Sequence, residues 1–314
     1  MDNVCVAIVT YRRLSHLAAT LSSIQEQSIQ PESIVIIDNA ADLEVEKICK
    51  NHPLASKISY FPMNSNLGPA GGTAEAMKWF TQTHTRQDWF LRIDDDRTLP
   101  DGELISDLLA FARSRSEHER FGGVGLAGSR YDRRAARLVR PTVSPDFVEV
   151  DFLATNHFAL FSAQGILDVG PMDATLFFGM SEVEFGLRLR DHNYSLWLHG
   201  PRVFARRKGK PAKKGPTAHL TEPGWRRYYS LRNSIVVARR YGGTAPALRV
   251  TVVRCFAKPI IGLVVSPRLA LANLNIGARA ASDAWRGRMG RQVDPETWER
   301  DHGLLANQDE MRLT

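Results

Sequence analysis

Residues 4–9 form an unbroken apolar run, the pattern of a strand buried on both faces. Leu14, Leu17, Ala18, Leu21 and Ile24 then recur at helical spacing. Residues 33–37 predict a second strand, 43–49 a short helix, and 58–61 a third strand. After a glycine-containing loop at 64–72, Ala76, Met77 and Phe80 predict another helix, and 89–93 predict a strand that runs straight into Asp94-Asp95-Asp96. This β-α-β-α rhythm predicts a mostly parallel sheet covered by helices on both faces. Residues 129–148 lose the pattern and read as a loop over the sheet; 148–153 read as a strand, 164–169 as a helix, and a helix of about three turns begins near Ser181. A further helix is expected over 225–240. Residues 246–291, interrupted by Pro259 and Pro267, read as short amphipathic helices that either pack on the body or lie on an anionic membrane surface.

In such sheets ligands bind outside the carboxyl ends of the strands. Four successive strand ends are polar or glycine-rich here: Thr10 and Tyr11, Asp38 and Asn39, the 66–72 loop, and Asp94 to Asp96. Their convergence on one crevice says more than any one of them.

Three consecutive aspartates repel one another unless a cation sits among them. On an extended segment Asp94 and Asp96 point the same way and Asp95 the other. Hard oxygen ligands suit Mg²⁺ or Mn²⁺, with a substrate's phosphates completing the shell; the alternative is a solvated acidic turn or the cap of the next helix. The 64–72 loop lets backbone approach a ligand at a helix start, but it lacks the lysine and hydroxyl of a P-loop, and a tight turn explains it equally well. Asp38 is equally a turn residue. Glu182 and Glu184 fall in the first turn of a predicted helix, where the dipole favours carboxylates; otherwise one of them is a general base, and periodicity does not choose between them. His199 and His219 are candidate third metal ligands or structural histidines.

Composition narrows this further. With 43% hydrophobic and 24% charged residues the chain is an ordinary globular sequence. Cys5, Cys49 and Cys255 are widely spaced and odd in number, so a reduced interior is expected rather than a disulfide framework. No secretion-signal pattern is present and no apolar run approaches the ~20 residues of a spanning helix; a cytoplasmic protein is the expectation. The net charge of +7 is uneven: residues 202–240 carry twelve lysines and arginines against the single acid Glu222, which attracts pyrophosphates, anionic lipids or nucleic acid.

Taken in order, these segments resemble the family-two glycosyltransferases of the GT-A fold. The resemblance rests on Val6-Ala-Ile-Val-Thr-Tyr-Arg12, the strand ending Asp38-Asn39, Asn66-Leu-Gly-Pro-Ala-Gly-Gly72, the acidic triplet, Ser181-Glu-Val-Glu-Phe-Gly-Leu-Arg188, Arg227-Tyr-Tyr-Ser-Leu-Arg-Asn233, and Ser282-Asp-Ala-Trp-Arg-Gly-Arg-Met-Gly-Arg291. Together they span residues 3–291 and look most like bacterial galactofuranosyltransferases and rhamnosyltransferases that build cell-surface polysaccharide on lipid-linked acceptors.

What the resemblance implies is an α/β GT-A fold with a Rossmann-like sheet and a C-terminal helical extension. Residues 1–128 would be the nucleotide-sugar half, 129–240 the acceptor-binding and catalytic half, and 241–314 the helical segment, for which the residues leave open packing on the body or a membrane surface. Thr10, Tyr11, Arg12, Asp38, Asn66, Gly71, Asp94 and Asp95 would bind the donor, and Asp94 and Asp96 would hold Mn²⁺ or Mg²⁺. Glu182 falls where the family keeps its base for a single inverting displacement. Two positions depart from the pattern: Ser181 replaces a frequent acid, and Arg206 stands where relatives often keep a metal-touching histidine, so either His219 substitutes from the following loop or the metal has fewer protein ligands. The implied partners are a UDP- or dTDP-linked sugar, with UDP-galactofuranose favoured over dTDP-rhamnose, and a glycan or polyprenyl-linked acceptor at the inner face of the plasma membrane. A non-catalytic sugar-nucleotide-binding protein on the same fold is the rival reading; a nucleic-acid module has only the arginine-rich 202–240 stretch behind it and no recognisable nucleic-acid motif.

Overall fold

The computed structural model describes residues 3–142, 146–207 and 224–301. Lys208 to Lys214 of the basic block, and His219, lie outside the described residues.

The N-terminal unit comprises residues 1–132, 137–174 and 181–210. It opens with β1 (Val4–Thr10), α1 (Leu14–Gln25), β2 (Ser33–Asp38), α2 (Leu43–Asn51), β3 (Ile58–Pro62), α3 (Gly68–Thr83), β4 (Trp89–Asp94), α4 (Leu104–Ser116) and β5 (Phe121–Gly125). Every side chain of β1 is buried, as a central strand covered on both faces requires. Asp42 caps α2 by accepting from the Glu44 N–H. Gly68 takes a positive φ of 68° and Pro69 fixes the first turn of α3, so the 64–72 loop is a shaped helix entry.

The expected loop over 129–148 is instead a short hairpin, β6 (Gly128–Asp132) with β7 (Arg137–Val139). The expected strand over 148–153 divides into β8 (Val148–Val150) and β9 (Phe152–Leu153), which join different sheets. β10 (Ala159–Ser162), α5 (Ala163–Val169), α6 (Ser181–Asp191), β11 (Ser195–Leu198) and α7 (Gly200–Arg207) complete the unit. The main sheet runs β3-β2-β1-β4-β10-β5-β11-β8, and β7-β6-β9 form a second, small sheet. β10 is antiparallel to both β4 and β5, and β8 to β11; the other pairings of the main sheet are parallel. Its core is aliphatic and aromatic throughout, from Val6, Ile8 and Ile36 to Phe90, Leu108 and Phe161.

The second unit comprises residues 133–136, 175–180 and 211–314. Its described helices are α8 (Trp225–Gly242), α9 (Thr244–Val250), α10 (Lys258–Ile261), α11 (Pro267–Trp285) and α12 (Pro295–Asp301). A π-helical stretch, Thr251–Ala257, joins α9 to α10, so Pro259 does not break the run; Pro267 does, and it opens the 19-residue α11. A buried cluster around Tyr228, Tyr229, Ile235, Cys255 and Ala280 holds these helices together.

Candidate active site

Strand register brings the predicted positions together. Thr10 pairs with Asp38, and Val9 with Asp94, so the carboxyl ends of β1, β2 and β4 finish level with one another. The three aspartates then part company. Asp95 turns inward, where it accepts from Thr10 Oγ1 at 2.9 Å and from the Tyr11 N–H at 3.4 Å, and pairs with Arg13 at 3.3 Å. Burial pushes its pKa up, against the pull of Arg13 and of the Thr10 hydroxyl. Asp94 and Asp96 keep 31% and 35% of their side chains exposed, enough to meet a ligand. Asp94 is backed at 3.0 Å by Arg92, and Asp96 by Arg13 at 2.6 Å.

Asp38 is fully buried, and its oxygens accept from the Ala40 and Asp42 N–H groups and the Tyr60 hydroxyl at 2.8–2.9 Å. The Tyr60 pKa is driven up, mainly by desolvation and further by that carboxylate. Asn39 ties β2 to the glycine loop, accepting from the Leu67 N–H at 3.2 Å and donating to the Gly68 carbonyl. Asn66 accepts from the Gly68 N–H at 2.8 Å, closing the turn. A Cβ on Gly71 would come within 2.7 Å of Leu67 at the helix start, and Gly72 sits where helix meets sheet, with a Cβ there within 2.5 Å of Val9 Cγ1. Arg12, at a positive φ of 56°, lies over the Tyr11 ring, and the adjacent Arg13 meets Asp95 and Asp96.

Glu182 and Glu184, equivalent on periodicity, differ in surroundings. Glu184 is buried and paired one turn on with Arg188 at 3.0 Å. Glu182 accepts from Thr155 Oγ1 at 3.1 Å. Part of its surface stays open, yet dense packing around the carboxyl raises its pKa; the negative charge of Asp94 adds to the rise, and Thr155 and the Arg92 guanidinium oppose it. The acidic triplet and the first turn of α6 therefore share one electrostatic environment.

Three participants carry no signal in the sequence. Arg92 is 1% exposed, donates to Thr73 Oγ1 at 3.0 Å and to the Ile93 carbonyl, and sits behind Asp94. Arg13 bridges Asp95 and Asp96. Thr155 reaches Glu182 because it precedes β10, whose antiparallel direction puts its first residue, Ala159, beside Arg92 near the carboxyl end of β4. Conversely, His199 is packed edge-on against Phe111 and Phe147, where burial lowers its pKa, as expected of a structural histidine.

Residues 5–118 match the family described as glycosyl transferase family 2. That match covers just over a third of the chain. Two similar proteins are galactofuranosyltransferases GlfT1: that of Mycolicibacterium smegmatis is 33% identical over 113 residues, 36% of each chain, and that of Mycobacterium tuberculosis is 28% identical over 202 residues, 60% of this chain and 64% of the relative. The matches thus span from about a third to just under two thirds of those relatives' length. The fold is GT-A. S. aureus TarS 1-349 in complex with UDP-GlcNAc superposes with a TM-score of 0.50 at 14% identity, over 91% of this chain and 83% of that one. GalNAc-T7 with UDP, GalNAc and Mn²⁺ superposes equally well at 14% identity, over 79% and 54%.

In the second unit, the Arg232-Asn233 pair of the sequence motif clamps residues 175–179. Asn233 Nδ2 donates to the carbonyls of Leu176, Phe178 and Gly179 at 2.8–2.9 Å, and Arg232 to those of Leu176 and Thr175. These bonds hold a segment in which Phe177 and Gly179 both take positive φ.

Proposed function

We propose that this chain is an inverting glycosyltransferase that moves a sugar from a nucleoside-diphosphate donor, UDP-galactofuranose by preference, to a hydroxyl of a glycan or lipid-linked acceptor. The observation that carries the proposal is the shared environment of Asp94 and Glu182 at the carboxyl edge of the sheet. In this reading Asp94 is the phosphate- and cation-binding group, and Glu182, whose proton affinity burial and the Asp94 charge raise, is the base. Similarity to the mycobacterial galactofuranosyltransferases supports the donor, and the fold supports residues 1–128 as the donor half. Three buried, unpaired cysteines are in keeping with a reducing, cytoplasmic setting.

Thr10, Tyr11, Arg12, Asp38, Asn66 and Gly71 line or shape the donor side, and Asp95 sets the turn that presents Asp94 and Asp96. These two carboxylates fit Mg²⁺ or Mn²⁺ when phosphate oxygens and water complete the shell. Among the described residues no group of three His, Cys, Asp or Glu could hold an ion alone. When bound, the cation supplies charge neutralisation for the departing diphosphate. Glu182 accepts the acceptor's hydroxyl proton as that oxygen bonds to the anomeric carbon; on the opposite face the bond to the diphosphate oxygen breaks and its electron pair leaves with the nucleotide. A carboxylate whose pKa is raised is the stronger base once ionised.

Nucleotide release by the purified chain across UDP-galactofuranose, dTDP-rhamnose, UDP-glucose and UDP-galactose, with a hydroxyl acceptor and with Mn²⁺ or excess EDTA, tests this. Release with UDP-galactofuranose that EDTA abolishes and Mn²⁺ restores is expected. Tight donor binding by calorimetry with no release from any donor would instead establish the non-catalytic reading.

A further inference from the structure

The second unit exposes aliphatic side chains that its own packing does not use. α9, the π-helical stretch and α10 form one run, and α11 folds back along it. A Cβ on Gly277 would meet the Cys255 backbone, so the two arms touch closely there, and Cys255, Ala270, Ile276 and Ala280 fill the inner face. The turn between the arms is exposed. Ile261 is 72% exposed, Val264 92% and Val265 74%; Ile260 stands beside them, and Val252 and Leu271 extend the apolar surface down each arm. A soluble protein rarely presents so compact a group of aliphatics to water without a partner.

Charge identifies that partner. From Tyr241 to Ser282 the sequence contains no acidic residue and five basic ones, Arg249, Arg254, Lys258, Arg268 and Arg279. Lys258 and Arg268 are exposed and border the turn on either side. Their long side chains can keep their charges at a polar boundary while the aliphatics between them enter an apolar phase. A second copy of this surface would bring like charges together, and an acidic protein would leave the aliphatic tip unexplained. Among the described residues no helix is long and apolar enough to cross a membrane.

We infer that the turn between α10 and α11 is a membrane-docking tip: Ile260, Ile261, Val264 and Val265 enter the boundary of an anionic bilayer, and Lys258 and Arg268 engage its headgroups. The inference does not depend on the transferase activity, and its test reads none.

The test is co-sedimentation of the full chain with phosphatidylcholine vesicles, with and without phosphatidylglycerol, at low and physiological salt. The wild type should pellet with the phosphatidylglycerol vesicles, and salt should weaken but not abolish this. The triple variant Ile261→Ser, Val264→Ser, Val265→Ser should bind at least ~10-fold more weakly, as loss of three buried aliphatics requires. Lys258→Glu with Arg268→Glu should lose the preference for phosphatidylglycerol. Because these side chains are exposed, both variants should keep the wild-type melting temperature. No pelleting of the wild type at low salt would overturn the inference. So would equal binding by the serine variant, or a wild-type dimer in sedimentation velocity that the serine variant loses.

Discussion

Arg92 and Asp94 lie two residues apart on the same face of β4, the guanidinium buried and the carboxylate part-exposed, 3.0 Å from each other. The buried member is anchored to Thr73 on α3 and to the Ile93 carbonyl, so the cation is fixed and the acid takes its position from it. Arg92→Met removes that fixed charge at nearly constant volume. A fully buried pair broken in this way costs about 3–5 kcal/mol; Asp94 reaches solvent, so about 2 kcal/mol is expected in chemical denaturation. Donor affinity should fall with it, while Arg92→Lys should recover stability better than affinity, because lysine cannot hold Thr73 and Asp94 at once.

Thr155 acts on the reaction through Glu182. Its hydroxyl stabilises the ionised carboxylate and so opposes the rise that burial and Asp94 impose. Thr155→Val keeps the shape and deletes the donor. The acid limb of the kcat profile should move to higher pH, and kcat near neutrality should drop several-fold with little change in donor KM. A profile that falls uniformly at all pH values would mean that Thr155 serves folding alone.

Glu182→Gln separates function from stability. An unfolded glutamate ionises in the ordinary range, whereas in the fold burial and Asp94 keep Glu182 protonated to higher pH. Between those two values the folded state binds more protons, so stability falls as pH rises through that window. Each tenfold change in the acid constant corresponds to about 1.4 kcal/mol. The glutamine variant should therefore melt above the wild type at neutral pH, and the advantage should vanish below the ordinary glutamate range. Turnover should fall by at least ~10²-fold, the usual contribution of a general base. A variant that is active or less stable at neutral pH would remove Glu182 from its proposed role.

Much of this arrangement was legible along the chain because it is local. A parallel β-α-β series writes its strands as apolar runs, and its ligand-facing residues fall directly after them, so Asp38, Asn66 and Asp94 to Asp96 could be placed by counting. Strand alternation did not describe the triplet, because β4 ends at Asp94 and Arg13 Nη1 meets both Asp95 and Asp96 in the turn that follows. What else failed was non-local. β10 inserts antiparallel between β4 and β5, and nothing near Thr155 signals that it will face a helix 27 residues later. Arg92 sits in an apolar strand, where periodicity assigns it no partner. The hairpin of β6 and β7 was missed because its residues are mostly polar or exposed. Periodicity left Glu182 and Glu184 equivalent and only the family resemblance favoured Glu182; the pairing of Glu184 with Arg188 is a physical difference that spacing does not reveal.

The glycine loop offers the cleanest mechanical test, because two effects of opposite sign meet at Gly72. In the interior of α3, alanine would favour the helix by about 1 kcal/mol over glycine. Its Cβ would also stand 2.5 Å from Val9 Cγ1 and 3.3 Å from Asn39 Nδ2. Overpacking of this kind costs about 1–3 kcal/mol. Val9 is a β1 residue paired with Asp94 and adjacent to Thr10, so it has little room to yield. The clash should win, with Gly72→Ala destabilising the chain by about 1 kcal/mol net and weakening donor binding as Val9 displaces the strand end. Val9→Ala removes both γ-carbons, and in that background Gly72→Ala should become neutral or stabilising. A double-mutant cycle by urea denaturation reads this directly; additive costs would show that Gly72 is needed for some reason other than its approach to Val9.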